Sequence, residues 1–181
     1  MRQVLSKILL GYKSLFWPLE KQAINVGVNL GKNNYIGSKF WSSEPYLITV
    51  GNNCQITEDV KFYTHGGAGG VRKFYPKFDY FGKIIIGDYV YIGSGSKIMP
   101  GVTIGDNVIV AAGSIVTKSI PSNVVVAGNP AIYICTIEEF IQRNIKYNLD
   151  SKGLSYKSKE VLLKSLPAEK FINKPLITIT K

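Results

Sequence analysis

The sequence predicts an all-β core in which short parallel strands wind into a prism-like coil. Three observations predict it: a six-residue period, small or β-branched residues at fixed places within it, and persistence of its phase across a long insertion. From Ile86 the chain reads IGDYVY, IGSGSK, IMPGVT, IGDNVI, VAAGSI and VTKSIP. The first positions are Ile86, Ile92, Ile98, Ile104, Val110 and Val116. A period of six matches neither the 3.6 of an amphipathic helix nor the 2.0 of a long strand. It matches short strands joined at regular corners, with the aliphatic side chain pointing inward. Such coils bury one continuous column, so no repeat is stable alone.

Within each repeat the second position is mostly small: Gly87, Gly93, Met99, Gly105, Ala111 and Thr117. Crowding at the corner asks for this, and glycine there also accommodates unusual backbone angles. The fifth positions, Val90, Ser96, Val102, Val108, Ser114 and Ile120, are small or β-branched. The same phase occurs earlier at Ile24, Leu30 and Ile36. After a two-residue slip near Ser42 and Ser43 it resumes at Val50, Ile56 and Phe62. The expected coil runs from about 24 to 131 within a domain of residues 21–135. A loop from about 64 to 82 interrupts it, and 24 residues, a multiple of six, separate Phe62 from Ile86.

The ends read differently. Residues 1–20 form an N-terminal segment whose residues 2–16 place Val4, Leu5, Ile8, Leu9, Tyr12, Leu15 and Phe16 on one helical face. Arg2, Lys7 and Lys13 stand opposite. Such a helix packs on the coil's end or on a partner subunit; peripheral contact with a membrane surface is the alternative. Residues 136–181 form a helical tail. Thr136 and Glu139 make a capping box opening a helix to about Asn148, and a short helix follows over 158–166. The tail offers no chemistry.

With 181 residues and 45% hydrophobic content, the chain can bury a core. Cys54 and Cys135 make no disulfide framework, and no signal peptide or twenty-residue apolar run occurs, so a reduced cytoplasm is expected. The net charge of +10, from 22 basic and 12 acidic residues, favours anionic partners. The basic residues never run five together, which argues against nucleic acid and leaves phosphate-bearing small molecules or an anionic membrane.

The chemistry gathers at the insertion, FYTHGGAGGVRKFYPKFDYFG, residues 62–82. It holds His65, the chain's one histidine, followed by Gly66, Gly67, Ala68, Gly69 and Gly70. This is neither a Walker loop nor a dinucleotide fingerprint. Together with the closing run IGDNVIVAAGSIVTKSIPSNVVVAGNPA, the pattern resembles the left-handed β-helix acyltransferases built on hexapeptide repeats. Within them it is similar to the sugar and xenobiotic O-acetyltransferase branch. The resemblance implies left-handed crossovers, against the usual rule for parallel strands. It also implies acetyl-CoA as donor, a sugar or glycan acceptor, and a homotrimer with active sites between subunits.

Carried over by position, His65 matches the catalytic base that takes the acceptor's hydroxyl proton. Gly93 and Ser94 match the region beside the thioester, and are the candidate donors to its oxyanion. Ala112 matches the small residue along which the pantetheine arm runs. Thr117 and Lys118 match the pair near the coenzyme's phosphates. Relatives often carry an acid after the histidine, where this chain has Gly66. The imidazole's partner is therefore sought among Glu58, Asp59 and Asp79. Basic residues that some relatives place further on are replaced by Ile132 and Cys135. O-acetylation of a sugar in capsule, O-antigen or other surface polysaccharide synthesis is the reading. N-acetylation of an amino or nucleotide sugar, antibiotic acetylation, and an inactive trimeric scaffold are the alternatives. Zinc chemistry of the γ-carbonic-anhydrase kind needs three histidines, so no metal is expected.

Overall fold

A computed structural model describes residues 16–176. Thirteen short strands in these residues form three sheets. The first holds β1 (Asn29–Leu30), β3 (Ile48–Val50), β6 (Ile84–Ile86) and β9 (Thr103–Ile104). The second holds β2 (Tyr35–Ile36), β4 (Gln55–Ile56), β7 (Tyr91–Ile92), β10 (Ile109–Val110), β12 (Val124–Ala127) and β13 (Ile132–Thr136). The third holds β5 (Lys61–Phe62), β8 (Lys97–Ile98) and β11 (Ile115–Val116). All pairs are parallel except β13, which returns antiparallel along β12.

Register converts the hexapeptide into a coil. Ile85 faces Thr103, Tyr91 faces Ile109 and Lys97 faces Ile115, each pair eighteen residues apart, so three repeats close one circuit. Lys61 faces Lys97, thirty-six residues on. The inserted loop therefore adds one circuit's length of chain, which is why the phase survives it. Tyr35 faces Gln55 at twenty residues, where the two-residue slip falls.

The inward column is dry. Ile86, Ile92, Ile98, Ile104, Val110 and Val116 are each at most 1% exposed. Burying one such side chain stabilises the fold by about 1.5–3 kcal/mol. Ser96 and Ser114, also inside, donate to the Ala111 carbonyl at 3.0 and 2.6 Å, so their hydroxyls are satisfied.

The second-position glycines do one of their two expected jobs. A Cβ on Gly93 would strike the backbone of Ala112 in the next circuit, and Gly87 and Gly105 are equally confined. None of the three has a positive φ. The left-handed corners fall instead on Asn33, Asn53, Asp59, Tyr89, Asn107 and Asn123, with φ between 54° and 65°, and on the later-position glycines Gly95, Gly101 and Gly113. Asparagine tolerates that region better than most residues.

One expectation changes at the N-terminal end. Ile24 fits the six-residue phase but belongs to a helix, α1 (Leu19–Val26), and is 57% exposed. The helix turns Ala23 inward instead and ends at Gly27, φ 116°, so the coil starts at β1. Val125 is buried opposite Cys135 of the returning β13. Of the helix expected over 2–16, residues 2–15 lie outside the described residues, and Phe16 stands in a turn.

The described residues 138–176 belong to a second compact unit. It contains most of α2 (Ile137–Asn144), a 3-10 turn at Ile145–Tyr147 and α3 (Tyr156–Ser165), capped where Ser155 Oγ accepts from the Ser158 N–H. No helix among the described residues is long and apolar enough to cross a membrane.

Candidate active site

The chain leaves β5 still extended. Alternation along it turns Phe62 and Thr64 inward, at 2% and 0% exposure, and leaves Lys61, Tyr63 and His65 outward. The loop closes at its root. The Gly82 N–H donates to the Thr64 carbonyl at 2.7 Å, and His65 pairs with Phe81 in an antiparallel bridge. The Phe81 ring also stands edge-on to the imidazole, with centroids 6.1 Å apart. His65 thus sits on pinned backbone, although the glycines beyond it are open.

Its partner comes from the slip. Glu44 Oε2 lies 2.9 Å from His65 Nδ1 and accepts from Thr64 Oγ1 at 2.5 Å. Ser42 Oγ braces the group, accepting from the Thr64 N–H at 3.2 Å. The hydrogen bonds from Thr64 and then His65 hold the Glu44 carboxyl below the usual carboxylate range. It is ionised at neutral pH and can only accept. Nδ1 therefore carries the ring proton, and Nε2 is left with a lone pair. The His65 side chain is 42% exposed and that of Glu44 only 17%, so the base faces outward and its support lies behind.

Glu44 replaces the three acids the sequence suggested. Asp79 accepts from its neighbour's N–H, that of Tyr80, while the Glu58 carbonyl binds the Gly95 N–H on another corner. The signal for Glu44 was the slip itself, since extra residues beside Ser42 and Ser43 had to bulge out somewhere. Gly66 is also explained. A Cβ there would run into the Tyr80 ring, whereas Gly67, Gly69 and Gly70 face open space.

A cleft of about 500 Å³ opens beside His65, between Phe40, Trp41, Ser43 and Tyr63. Its floor is firm, because Trp41 stacks on Phe62 with centroids 4.8 Å apart and planes 3° from parallel.

The other expected residues fall on two corners. Gly93, Ser94 and Ala112 share the corner that enters the third sheet, where the Gly113 N–H donates to the Ser94 carbonyl at 2.8 Å. Ala112 and Ser94 are exposed there, and Ser94 Oγ donates to Thr57 Oγ1 at 3.1 Å. Gly93 is buried and its N–H is engaged by the Val110 carbonyl at 2.8 Å, so it cannot serve as an oxyanion donor. Thr117 and Lys118 lie on the corner that leaves the third sheet, as His65 does. The Tyr63 N–H binds the Ile98 carbonyl and the Met99 N–H binds that of Val116, stacking Tyr63, Met99 and Thr117. Two circuits separate Tyr63 from Thr117, about 10 Å at the usual strand spacing. Both Thr117 and Lys118 are exposed.

Residues 83–118 match the family described as bacterial transferase hexapeptide (six repeats). Protein CapG of Staphylococcus aureus is 44% identical over 162 residues, which cover 83% of this chain and 94% of CapG. The chain belongs to the hexapeptide-repeat transferase family. Galactoside O-acetyltransferase of Escherichia coli is 40% identical over 114 residues, 62% of this chain and 55% of that enzyme. The hexapeptide-repeat chain thus spans only a little more than half of that relative. Among solved structures, a hexapeptide-repeat acetyltransferase from Vibrio cholerae, complexed with acetyl-CoA, superposes with a TM-score of 0.56. It is 29% identical and is matched over 61% of this chain and 60% of its own. Membership of this family makes the chain an acyltransferase.

Proposed function

We propose that the chain transfers the acetyl group of acetyl-CoA to a hydroxyl of a sugar acceptor, in the synthesis of a capsule, O-antigen or related surface glycan. The observation that carries this is the His65–Glu44 pair facing an open cleft. His65 Nε2 takes the acceptor's hydroxyl proton as the oxygen attacks the thioester carbonyl. Glu44 holds Nδ1 and offsets the imidazolium charge while that proton is carried. The C–S bond then breaks, and the imidazolium returns the proton to the departing thiolate.

The chain's surface fits the donor. The exposed corner at Ser94 and Ala112 offers small side chains and backbone to an extended arm. Lys118 has no ion-pair partner among the described residues and suits the coenzyme's phosphates. In this reading the coil is left-handed and the protein is a homotrimer, in which a neighbouring subunit completes each cleft. Exposed apolar residues on the outer faces, such as Ile85 at 45%, suit such burial. Sedimentation equilibrium giving an active monomer would exclude the shared site. The reaction belongs to the cytoplasm, where the free thiols of Cys54 and Cys135 stay reduced.

The test is incubation with isotopically labelled acetyl-CoA and a panel of sugars, read by mass spectrometry. His65→Ala is expected to lower the rate by about 10²–10⁴ with fold and mass unchanged. A loss under tenfold would remove His65 from the role of base.

A further inference from the structure

The cleft beside His65 has a charge that acetyl transfer to a plain sugar does not need. Lys39 and Lys61 both line it, and no carboxylate does, since Glu44 lies behind the imidazole. Neither lysine has an ion-pair partner among the described residues. Lys61 is positioned rather than loose. Its backbone pairs with that of Phe40 in the preceding circuit, and its ammonium stands 4.9 Å from the centroid of the Phe40 ring. That contact holds the stem while leaving the charge open to the cleft.

Lys61, Tyr63 and His65 are successive outward residues of one extended segment, so cation, aromatic ring and base form a single row. Both cations line the cleft in which the acceptor must lie. Phe40, 48% exposed, and Tyr63 offer apolar faces for a sugar ring, and Ser42 and Ser43 offer hydroxyls. An aromatic and hydroxyl-lined cleft with two unpaired ammonium groups has the chemistry of a receptor for an acidic glycan.

We infer that this site selects an acceptor bearing a carboxylate or a phosphate, with Lys39 and Lys61 as its anchors. The inference rests on the acetyl-transfer reading above for the role of His65, and it concerns the acceptor alone.

The experiment compares matched acceptors on the full-length protein: p-nitrophenyl glucoside against p-nitrophenyl glucuronide, and free galactose against galactose 1-phosphate. The wild type is expected to prefer the charged member of at least one pair by tenfold or more in kcat/KM. Lys61→Gln and the double variant Lys39→Gln/Lys61→Gln should collapse that preference through KM, with raised salt acting in the same direction. Preference within the first pair alone names a carboxylate, and within the second alone a phosphate. Equal kcat/KM within both pairs, or variants that weaken charged and neutral acceptors alike, would overturn the inference. So would a rise in the KM of acetyl-CoA instead, which would assign the lysines to the coenzyme. If no sugar is acetylated, the acetyl-transfer reading fails by itself. Titration calorimetry of the same four sugars then decides the inference: selective binding lost in Lys61→Gln upholds it, and equal or absent binding overturns it.

Discussion

Glu44→Gln isolates what a single charge does for the base. Glutamine has nearly the shape of glutamate and can still accept from Thr64 Oγ1 and His65 Nδ1, so the fold and the ring's position are kept. The negative charge 2.9 Å from Nδ1 is lost. A general base contributes about 10²–10⁴ in rate, and the variant retains the base but not the group that offsets its charge when protonated. The expected fall in kcat is therefore about 10–10²-fold, smaller than for His65→Ala. The KM of acetyl-CoA should stay put, because Glu44 lies behind the imidazole rather than toward the coenzyme corner. Stopped-time assays of thiol release across pH give the rate. A parallel melt gives a second readout. The Glu44 carboxyl is held below its ordinary range, so its contribution to stability is fully present above about pH 4.3, the usual unfolded value, and is lost as pH falls through the lowered folded value. The difference in Tm between wild type and Glu44→Gln should thus shrink on acidification. Full activity in the variant, or a Tm difference that grows toward acid, would refute the assignment of Glu44 as an ionised positioning residue.

Lys118→Glu is expected to raise the KM of acetyl-CoA at least tenfold at low salt, with the gap narrowing in about 0.5 M salt as screening takes over; an unchanged KM would place the phosphates elsewhere. Gly93→Ala should destabilise the coil by about 1–3 kcal/mol, because its Cβ meets backbone of the next circuit that cannot step aside. In a thermal melt that corresponds to about 2–12 °C. Gly67→Ala is the control: Gly67 has φ −73° and open space around it, so its melting point should match the wild type within about 1 °C.

The core was readable because its cause is local. Each of Ile86, Ile92, Ile98, Ile104, Val110 and Val116 sits one strand and one corner from the next, so the spacing in the chain is the spacing in space. Ile24 shows the cost of reading period alone. It satisfied the phase, yet Pro18 and Gly27 bracket a helix there, and a coil needs its first edge covered. The glycines show that composition can be right for half its reason, since crowding and not backbone angle selects Gly93. The slip beside Glu44 marked a bulge but not its partner, because Glu44 meets His65 across twenty-one residues and one circuit.

The site forms where the repeat fails. A perfect hexapeptide coil presents the same small and aliphatic residues at every level and has no place for an ionised acid behind an imidazole. Two departures supply one. The slip carries Ser42, Ser43 and Glu44 out of the first circuit, and the insertion carries Thr64 and His65 out of the second. Phe40 bridges Lys61, so the two departures leave the coil at the same corner of adjacent circuits. Thr64 then ties them, with its carbonyl on Gly82 and its hydroxyl on Glu44. Shortening the slip by its two extra residues would restore the eighteen-residue spacing of β1 to β3 and of β2 to β4. It would also withdraw Glu44 from the imidazole, so a variant lacking Ser42 and Ser43 should melt cooperatively yet lose activity at least as far as Glu44→Gln does. Activity retained in a folded protein of that kind would mean that the slip serves the coil's packing and not the base.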